Sequence, residues 1–335
     1  MAEHLLGLPL KHKHNDLRGI GADDHHREWG WADEWGWRRS IYVPYSKDGW
    51  VDKGKVLEKA SSGWDSVAVH QPCVLRIEDI YRMYYTGRQG PWTGYARIGL
   101  ATSSDGLNFT RYGADGKILN PPPGYNAIAS PSVIYDVYEA NSNKRYKMLA
   151  DAYYAGWKPV YLYSSNGINW TFDSEITGLT NPKSPYILYR FGNAYFVFYR
   201  DSATLEVRLA VTRDFSTWYN HGIVLNKGAA GEWDDEGYGY LGIFWNLGVW
   251  YLVLQGADEP SPTWDWDIGM ATSSDGFNWT KYPLNPIQEN IAGTWCDTWV
   301  MQPCLLMVED KFRLYCCGKD ASGVFSIGRF DIEGS

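Results

Sequence analysis

The side chains in this sequence best suited to moving protons are a few carboxylates set beside aromatic or basic residues. Asp65, Asp234 or Asp235, and Asp297 stand in three similar segments, Trp64-Asp65, Trp233-Asp234-Asp235 and Trp295-Cys296-Asp297, and Glu236 follows the second directly. Asp151 and Asp201 close strand-like runs, with Arg200 just ahead of Asp201. Acids brought near one another are pushed to different pKa values and can divide acid and base roles. Each also has a structural reading. An Asp beside a packed indole caps backbone amides, and an acid near Arg88 or Arg200 forms an ion pair. His70 reads more simply as a hydrogen-bonded wall residue than as a base.

These residues recur at fixed places in a repeat. A turn signature appears in five copies: Tyr45-Ser46-Lys47-Asp48-Gly49-Trp50, Ser103-Ser104-Asp105-Gly106-Leu107-Asn108-Phe109, Ser164-Ser165-Asn166-Gly167-Ile168-Asn169-Trp170, Thr212-Arg213-Asp214-Phe215-Ser216-Thr217-Trp218 and Ser273-Ser274-Asp275-Gly276-Phe277-Asn278-Trp279. Asp-Gly and Asn-Gly accept positive φ and turn a hairpin sharply. Two further strand-like runs precede each later copy, such as Cys73 to Ile77 and Tyr81 to Tyr85, and a last pair runs from Leu305 to Val308 and Phe312 to Cys316. Repeated four-stranded antiparallel sheets set radially make an all-β, five-bladed β-propeller. The run Trp50 to Leu57 is a fourth strand with no partners before it, and Phe325 to Ile332 is a third with no fourth after it, so the two are expected to close the ring together. Two stacked sandwiches are disfavoured because no linker interrupts the repeat. The propeller is assigned to residues 41–335 and an extended N-terminal arm to residues 1–40.

In such a meander the start of the innermost strand and the end of the second lie at one face. The starts carry His70-Gln71-Pro72, Ala129-Ser130-Pro131, Lys183-Ser184-Pro185, Gly239-Tyr240-Leu241 and Met301-Gln302-Pro303. The second-strand ends carry Thr86-Gly87-Arg88, Asp151, Arg200-Asp201, Gln255 to Asp258 and Lys319-Asp320. A central funnel rich in acids, Arg and aromatics follows. Its candidate ligand-binding residues are His70, Gln71, Arg88, Asp151, Lys183, Arg200, Asp235, Asp297 and Gln302.

Composition narrows the partners. A net charge of −8 with no Lys/Arg run argues against nucleic acid. No apolar run approaches a membrane span, and Met1 to Lys13 lacks the apolar core and small-residue cleavage site of a standard signal peptide. Five cysteines, an odd number without C-x-x-C spacing, read as buried thiols rather than a disulfide scaffold. The 18 Trp and 25 Tyr suit stacking on sugar rings, though most are expected to fill sheet interfaces. No cofactor is expected; Ca²⁺ in the funnel is the one alternative, and no loop of the dedicated type supports it. The arm holds four His and three Asp between His12 and His26, residue types that could hold a metal, though without the spacing of a known site.

Several phrases resemble the five-bladed glycoside hydrolases and phosphorylases: the arabinanase and β-xylosidase family, the invertase and levansucrase clan, and the mannoside phosphorylases. They are Gly63-Trp64-Asp65-Ser66 through Gln71-Pro72-Cys73-Val74, Tyr81-Arg82-Met83-Tyr84-Tyr85-Thr86-Gly87 and Arg97-Ile98-Gly99-Leu100-Ala101-Thr102-Ser103-Ser104-Asp105-Gly106. The resemblance implies carbohydrate as ligand and hydrolysis by one carboxyl that protonates the leaving oxygen and a second that activates water or attacks the sugar. In the arabinanase and xylosidase pattern an acid directly precedes the first two blade prolines, and a Glu stands two residues before the third. Here Gln71, Ser130 and Lys183 hold those places. If the chain is catalytic, Asp65, Asp201 and Glu236 are the candidates, with Glu236 as proton donor and an Asp as base or nucleophile. The arm resembles His/Asp-rich segments of phage tail and fibre proteins. That resemblance implies an alternative, a glycan-binding or decorating virion component docked to other virion proteins through residues 1–40.

Overall fold

The computed structural model describes residues 49–90, 95–246, 248–258, 265–309 and 311–332. The arm at 1–40, with its docking and metal expectations, lies outside the described residues.

The inner strands of this chain are largely apolar on both faces. Tyr81, Met83, Tyr84 and Tyr85, consecutive or alternate along one strand, are all buried, as a sheet sandwiched between neighbours requires. The first strand is β1 (Trp50–Glu58). An antiparallel unit follows: β2 (Ala68–Ile77), β3 (Ile80–Arg88) and β4 (Ala96–Ser103), with the short β5 (Thr110–Arg111) and β6 (Lys117–Leu119) both on β4. The second unit is β7 (Ala127–Tyr135), β8 (Tyr146–Tyr153), β9 (Trp157–Ser164) and β10 (Thr171–Glu175). The third is β11 (Pro182–Phe191), β12 (Ala194–Asp201), β13 (Val207–Thr212) and β14 (Trp218–Leu225). The fourth is β15 (Gly237–Asn246), β16 (Val249–Ala257), β17 (Trp266–Ser273) and β18 (Thr280–Lys281). The last is β19 (Trp299–Val308), β20 (Lys311–Lys319) and β21 (Phe325–Ile332), completed by β1, which pairs antiparallel with β21 from Trp50 opposite Ile332 to Glu58 opposite Ser326.

Innermost strands β2, β7, β11, β15 and β19 touch one another in cyclic order, and β19 touches β2. The sheets therefore form a ring, an all-β propeller, and no α-helix occurs among the described residues. Its core is divided into wedges. Cys73, Tyr84, Ile98 and Leu100 of the first unit meet Ile128, Val133 and Met148 of the second, and like clusters fill the remaining interfaces, including Tyr81 and Met83 against Tyr315 and Ile327 where the ring closes. Burying such side chains contributes roughly 1.5–3 kcal/mol each.

The turns work as their residues dictate. Ser103 Oγ accepts the Asp105 and Gly106 amides, while Asp105 Oδ1 accepts those of Leu107 and Asn108, both at 2.8 Å. Asn166 and Asp275 repeat the arrangement. Phe215 replaces the turn glycine in the third unit and still takes φ 61°, held there by stacking on Tyr161 with ring centres 4.2 Å apart.

Candidate functional site

Each innermost strand breaks register near its start. The shifts fall between His70 and Cys73, Ala129 and Ser132, Lys183 and Tyr186, Tyr238 and Leu241, and Met301 and Cys304. Four of these bulges end in X-Pro, and the residue before each proline is left-handed: Gln71, Ser130, Ser184 and Gln302 have φ of 56°, 58°, 47° and 58°. A non-glycine residue held there stores about 1–3 kcal/mol of strain, sustained only where the surroundings fix it. A bulge re-aims a side chain. Here it re-aims several toward a common cluster.

Gln71 is the hub. Its amide N donates to Gln302 Oε1 at 3.0 Å. Its Oε1 accepts from Thr86 Oγ1 at 2.6 Å and from the Ser130 amide at 3.0 Å. Its Nε2 donates to Tyr240 Oη. Gln71 belongs to the first unit and Tyr240 to the fourth, which are not neighbours in the ring, so this bond crosses the axis. The Gln302 amide donates to Gln255 Oε1 at 3.0 Å, and Ser184 Oγ donates to Asp151 Oδ2 at 3.4 Å. A polar belt thus links one unit to the next.

Second strands supply Thr86, Asp151, Arg200 and Cys317, paired opposite His70, Ala129, Lys183 and Met301, with Gln255 at the corresponding place in the fourth unit. Arg88 Nε donates to His70 Nε2 at 2.9 Å. Burial and the Arg88 charge hold His70 well below its ordinary pKa, against a Gln302 hydrogen bond that favours the cation, so the ring is neutral. Burial lowers Arg88 to about 10. Burial raises the Asp151 carboxyl, opposed by Lys183, by hydrogen bonds from Ser130 and Ser184, and by Arg200. Burial likewise lowers Lys183 and Arg200. Asp151 is 3% exposed, whereas Lys183, Arg200 and Tyr240 are only half-buried. The open side of the cluster is therefore cationic and phenolic, with the acid behind it.

His70, Gln71, Arg88, Asp151, Lys183, Arg200 and Gln302 are brought together at this cluster. The other sequence-derived candidates are not. Asp65 lies inside the first sheet, where its Oδ2 accepts from Tyr85 Oη at 3.0 Å and Arg111 Nε at 2.8 Å. The adjacent Trp64 covers Gly87 and Gly99 so closely that a Cβ on Gly87 would stand 2.3 Å from the indole. Trp233 covers Gly256 and Gly269, and Trp295 covers Gly318 and Gly328, in the same way. Asp234 matches Asp65, accepting from Tyr238 Oη at 2.6 Å and Lys281 Nζ at 2.7 Å, and Cys296 takes the third such place.

Asp235 and Asp297 stand one residue later and cap their own loops, accepting the Gly231 and Gly293 amides. Asp201 is fully buried, with Oδ1 accepting the Ala203 amide at 2.8 Å and Oδ2 accepting from Arg208 Nε at 2.5 Å. Burial alone would raise its pKa. The Ala203 and Thr204 amides and Arg208 outweigh that and hold it below the usual carboxylate range. Glu236 stands at the rim, its amide donating to Ala257 O at 3.0 Å, in the place held by Val67, Asn126 and Thr298 in other units. Thr86, Tyr240 and Gln255, placed at the funnel face by the sequence but not among its candidate site residues, complete the cluster. The signal for Tyr240 is its alignment with Gln71, Ser130 and Gln302.

No group of three or more His, Cys, Asp or Glu among the described residues stands where it would hold a metal.

No family model matches the chain. Among curated proteins, the 1,2-beta-oligomannan phosphorylase of Thermoanaerobacter sp. (strain X514) is similar, 21% identical over 214 residues, 62% of this chain and 71% of that protein. A solved structure described with the GH130 family of mannoside phosphorylases, containing glycoside hydrolases that target beta-1,2 mannosidic linkages in Candida mannan, superposes with TM-score 0.65 at 16% identity over 82% of this chain and 90% of that one. A thermostable family-43 glycoside hydrolase superposes at 0.64, with 14% identity over 80% and 91%. The fold is that of the glycoside hydrolase-like propellers.

Proposed function

We propose that this chain is a five-bladed, carbohydrate-engaging propeller, divergent from glycosidases, that takes sugar at its axial cluster without two-carboxylate hydrolysis. One observation carries the reading: among the described residues that meet at the cluster, Asp151 is the sole carboxylate, with Gln71, Ser130, Ser184, Tyr240 and Gln302 on the innermost strands. Two-carboxylate mechanisms need a partner about 5–10 Å away. On this reading Asp65 and Asp201 are braces within their sheets and Glu236 a rim residue. An arm at 1–40 ahead of a propeller at 41–335 belongs to the same proposal. The virion alternative finds no support in these relatives.

Asp151 favours a second reading. A buried carboxyl with a raised pKa holds its proton more tightly than an exposed one and suits a general acid, and a single acid suffices where an external nucleophile such as phosphate completes the transfer.

The test is calorimetric titration with a broad oligosaccharide panel, assayed in parallel for bond cleavage. Tyr240→Phe and Asp151→Asn should weaken binding at least several-fold, and Asp65→Asn, Asp201→Asn and Glu236→Gln should leave the affinity of folded protein unchanged. Absence of binding to any sugar, or loss confined to the second group, would overturn the proposal.

A further inference from the structure

Charge is distributed unevenly between the chain and its axial cluster. The protein carries a net charge of −8, yet the half-buried residues at the open side of the cluster include two cations, Lys183 and Arg200, while Asp151 is 3% exposed behind them. Arg200 is held in place without being satisfied. Its Nη1 donates to Tyr238 O at a long 3.4 Å, and its Nε is buried with no hydrogen-bond partner among the described residues. Lys183 is opposite Arg200 on the paired strand, so two like charges share one end of the third unit. Tyr240, whose oxygen accepts from Gln71, offers its own O–H beside them.

Among the described residues Arg200 is thus held by one long hydrogen bond and not by an ion pair, and two neighbouring cations repel. An anion with two coplanar oxygens relieves this through the N–H groups on the open side, because a guanidinium presents parallel N–H donors in the spacing of a carboxylate. On a sugar ring the group of that shape is a uronate carboxylate, and free phosphate is the competing occupant.

We infer that the sugar taken at this site is an acidic one, whose carboxylate is seated on Arg200 and Lys183. This rests on the carbohydrate reading above and specifies its substrate class. Arg200 supplies the paired hydrogen bonds and Lys183 the second charge, and Asp151 sits where it meets a hydroxyl of the same ring.

The test is calorimetry of the full-length protein with oligosaccharides containing galacturonate, glucuronate or mannuronate. Each is compared with its own carboxyl-reduced, neutral counterpart, and inorganic phosphate is titrated separately. At least one acidic member should bind at least tenfold more tightly than its reduced form. Arg200→Gln and Lys183→Gln, each checked for native circular dichroism, should remove most of the gap in affinity between the acidic sugar and its reduced form. Added salt should narrow the same gap. If reduced forms bind as well as acidic ones, the inference fails and the carbohydrate reading stands. If phosphate alone binds with the same dependence on Arg200, and no acidic sugar does, the site is one for a free anion and the inference fails. Absence of binding by every oligosaccharide removes both.

Discussion

Arg208 grips Asp201 at the place in the third unit where three other units set an indole over a pair of glycines. Strand pairing gives the equivalence: Asp201 and Arg208 stand where Gly87 and Gly99, Gly256 and Gly269, and Gly318 and Gly328 stand. An ion pair thus replaces a tryptophan brace. Removing one partner leaves a buried charge uncompensated, so Asp201→Asn should cost about 3 kcal/mol at neutral pH. The sign with pH follows from the depressed folded-state pKa. The stabilisation is present above the ordinary carboxylate pKa and is lost as pH falls below it toward the lowered folded-state value. Urea unfolding at pH 7 and pH 3 should show the gap between wild type and variant closing at the lower value.

The tryptophan braces make a complementary prediction. A Cβ on Gly269 would stand 2.2 Å from Trp233 Cη2, so Gly269→Ala should destabilise by about 1–3 kcal/mol through overpacking. Trp233→Ala removes the obstacle, and the double variant should be more stable than the sum of the two single losses predicts. Additivity in chemical denaturation would show that the indole does not hold that position.

Asp267 should tune stability in the opposite sense to Asp201. Burial, then the charges of Asp265, Glu289 and Asp258, raise its carboxyl to about 7. An acid whose folded-state pKa is raised binds its proton more tightly in the native state, so its contribution declines as pH rises from about 4 to about 7. Asp267→Asn should therefore stabilise the protein by about 1–3 kcal/mol at pH 8 and change little at pH 4. Thermal unfolding at both pH values measures this.

Gln71→Ala should be more damaging than its small size suggests. It leaves the Ser130 amide with Thr86 alone as acceptor, strips Tyr240 of a donor, and keeps an alanine at φ 56°. A loss of about 1–3 kcal/mol is expected. Gln71→Gly should recover part of it by relieving the backbone. Equal stability of the two variants would mean that the left-handed conformation is unstrained.

The repeat and its closure were legible because both rest on local chemistry. Ser-x-Asp-Gly can do little but turn, and an orphan strand at each end of a repeated series calls for its counterpart. Gln71, Arg88, Asp151, Lys183 and Arg200 could be assigned to one face for the same reason, as strand ends fall where the turns put them. The choice between adjacent residues was harder. Strand alternation sends Arg200 and Asp201 in opposite directions, and only alignment of Arg200-Asp201 with Thr86-Gly87, Gln255-Gly256 and Cys317-Gly318 shows that Arg200 shares the place of Thr86. Trp64-Asp65 misled for a different reason. A tryptophan on two glycines and a carboxylate in an active site use the same residue types, and the glycines that separate them lie on other strands.

Among the described residues the first strand finds its partner in the last. Until β21 has been made, β1 has no edge to pair with, and until β19 has been made the first unit lacks one of its two neighbours. Such non-local closure makes folding slow, and an unpaired edge is sticky in the meantime. Nascent chains should thus depend on chaperones until β21 has emerged, and a rearranged chain whose new start lies in the β1–β2 loop, with β1 fused behind β21, should fold faster at the same final stability.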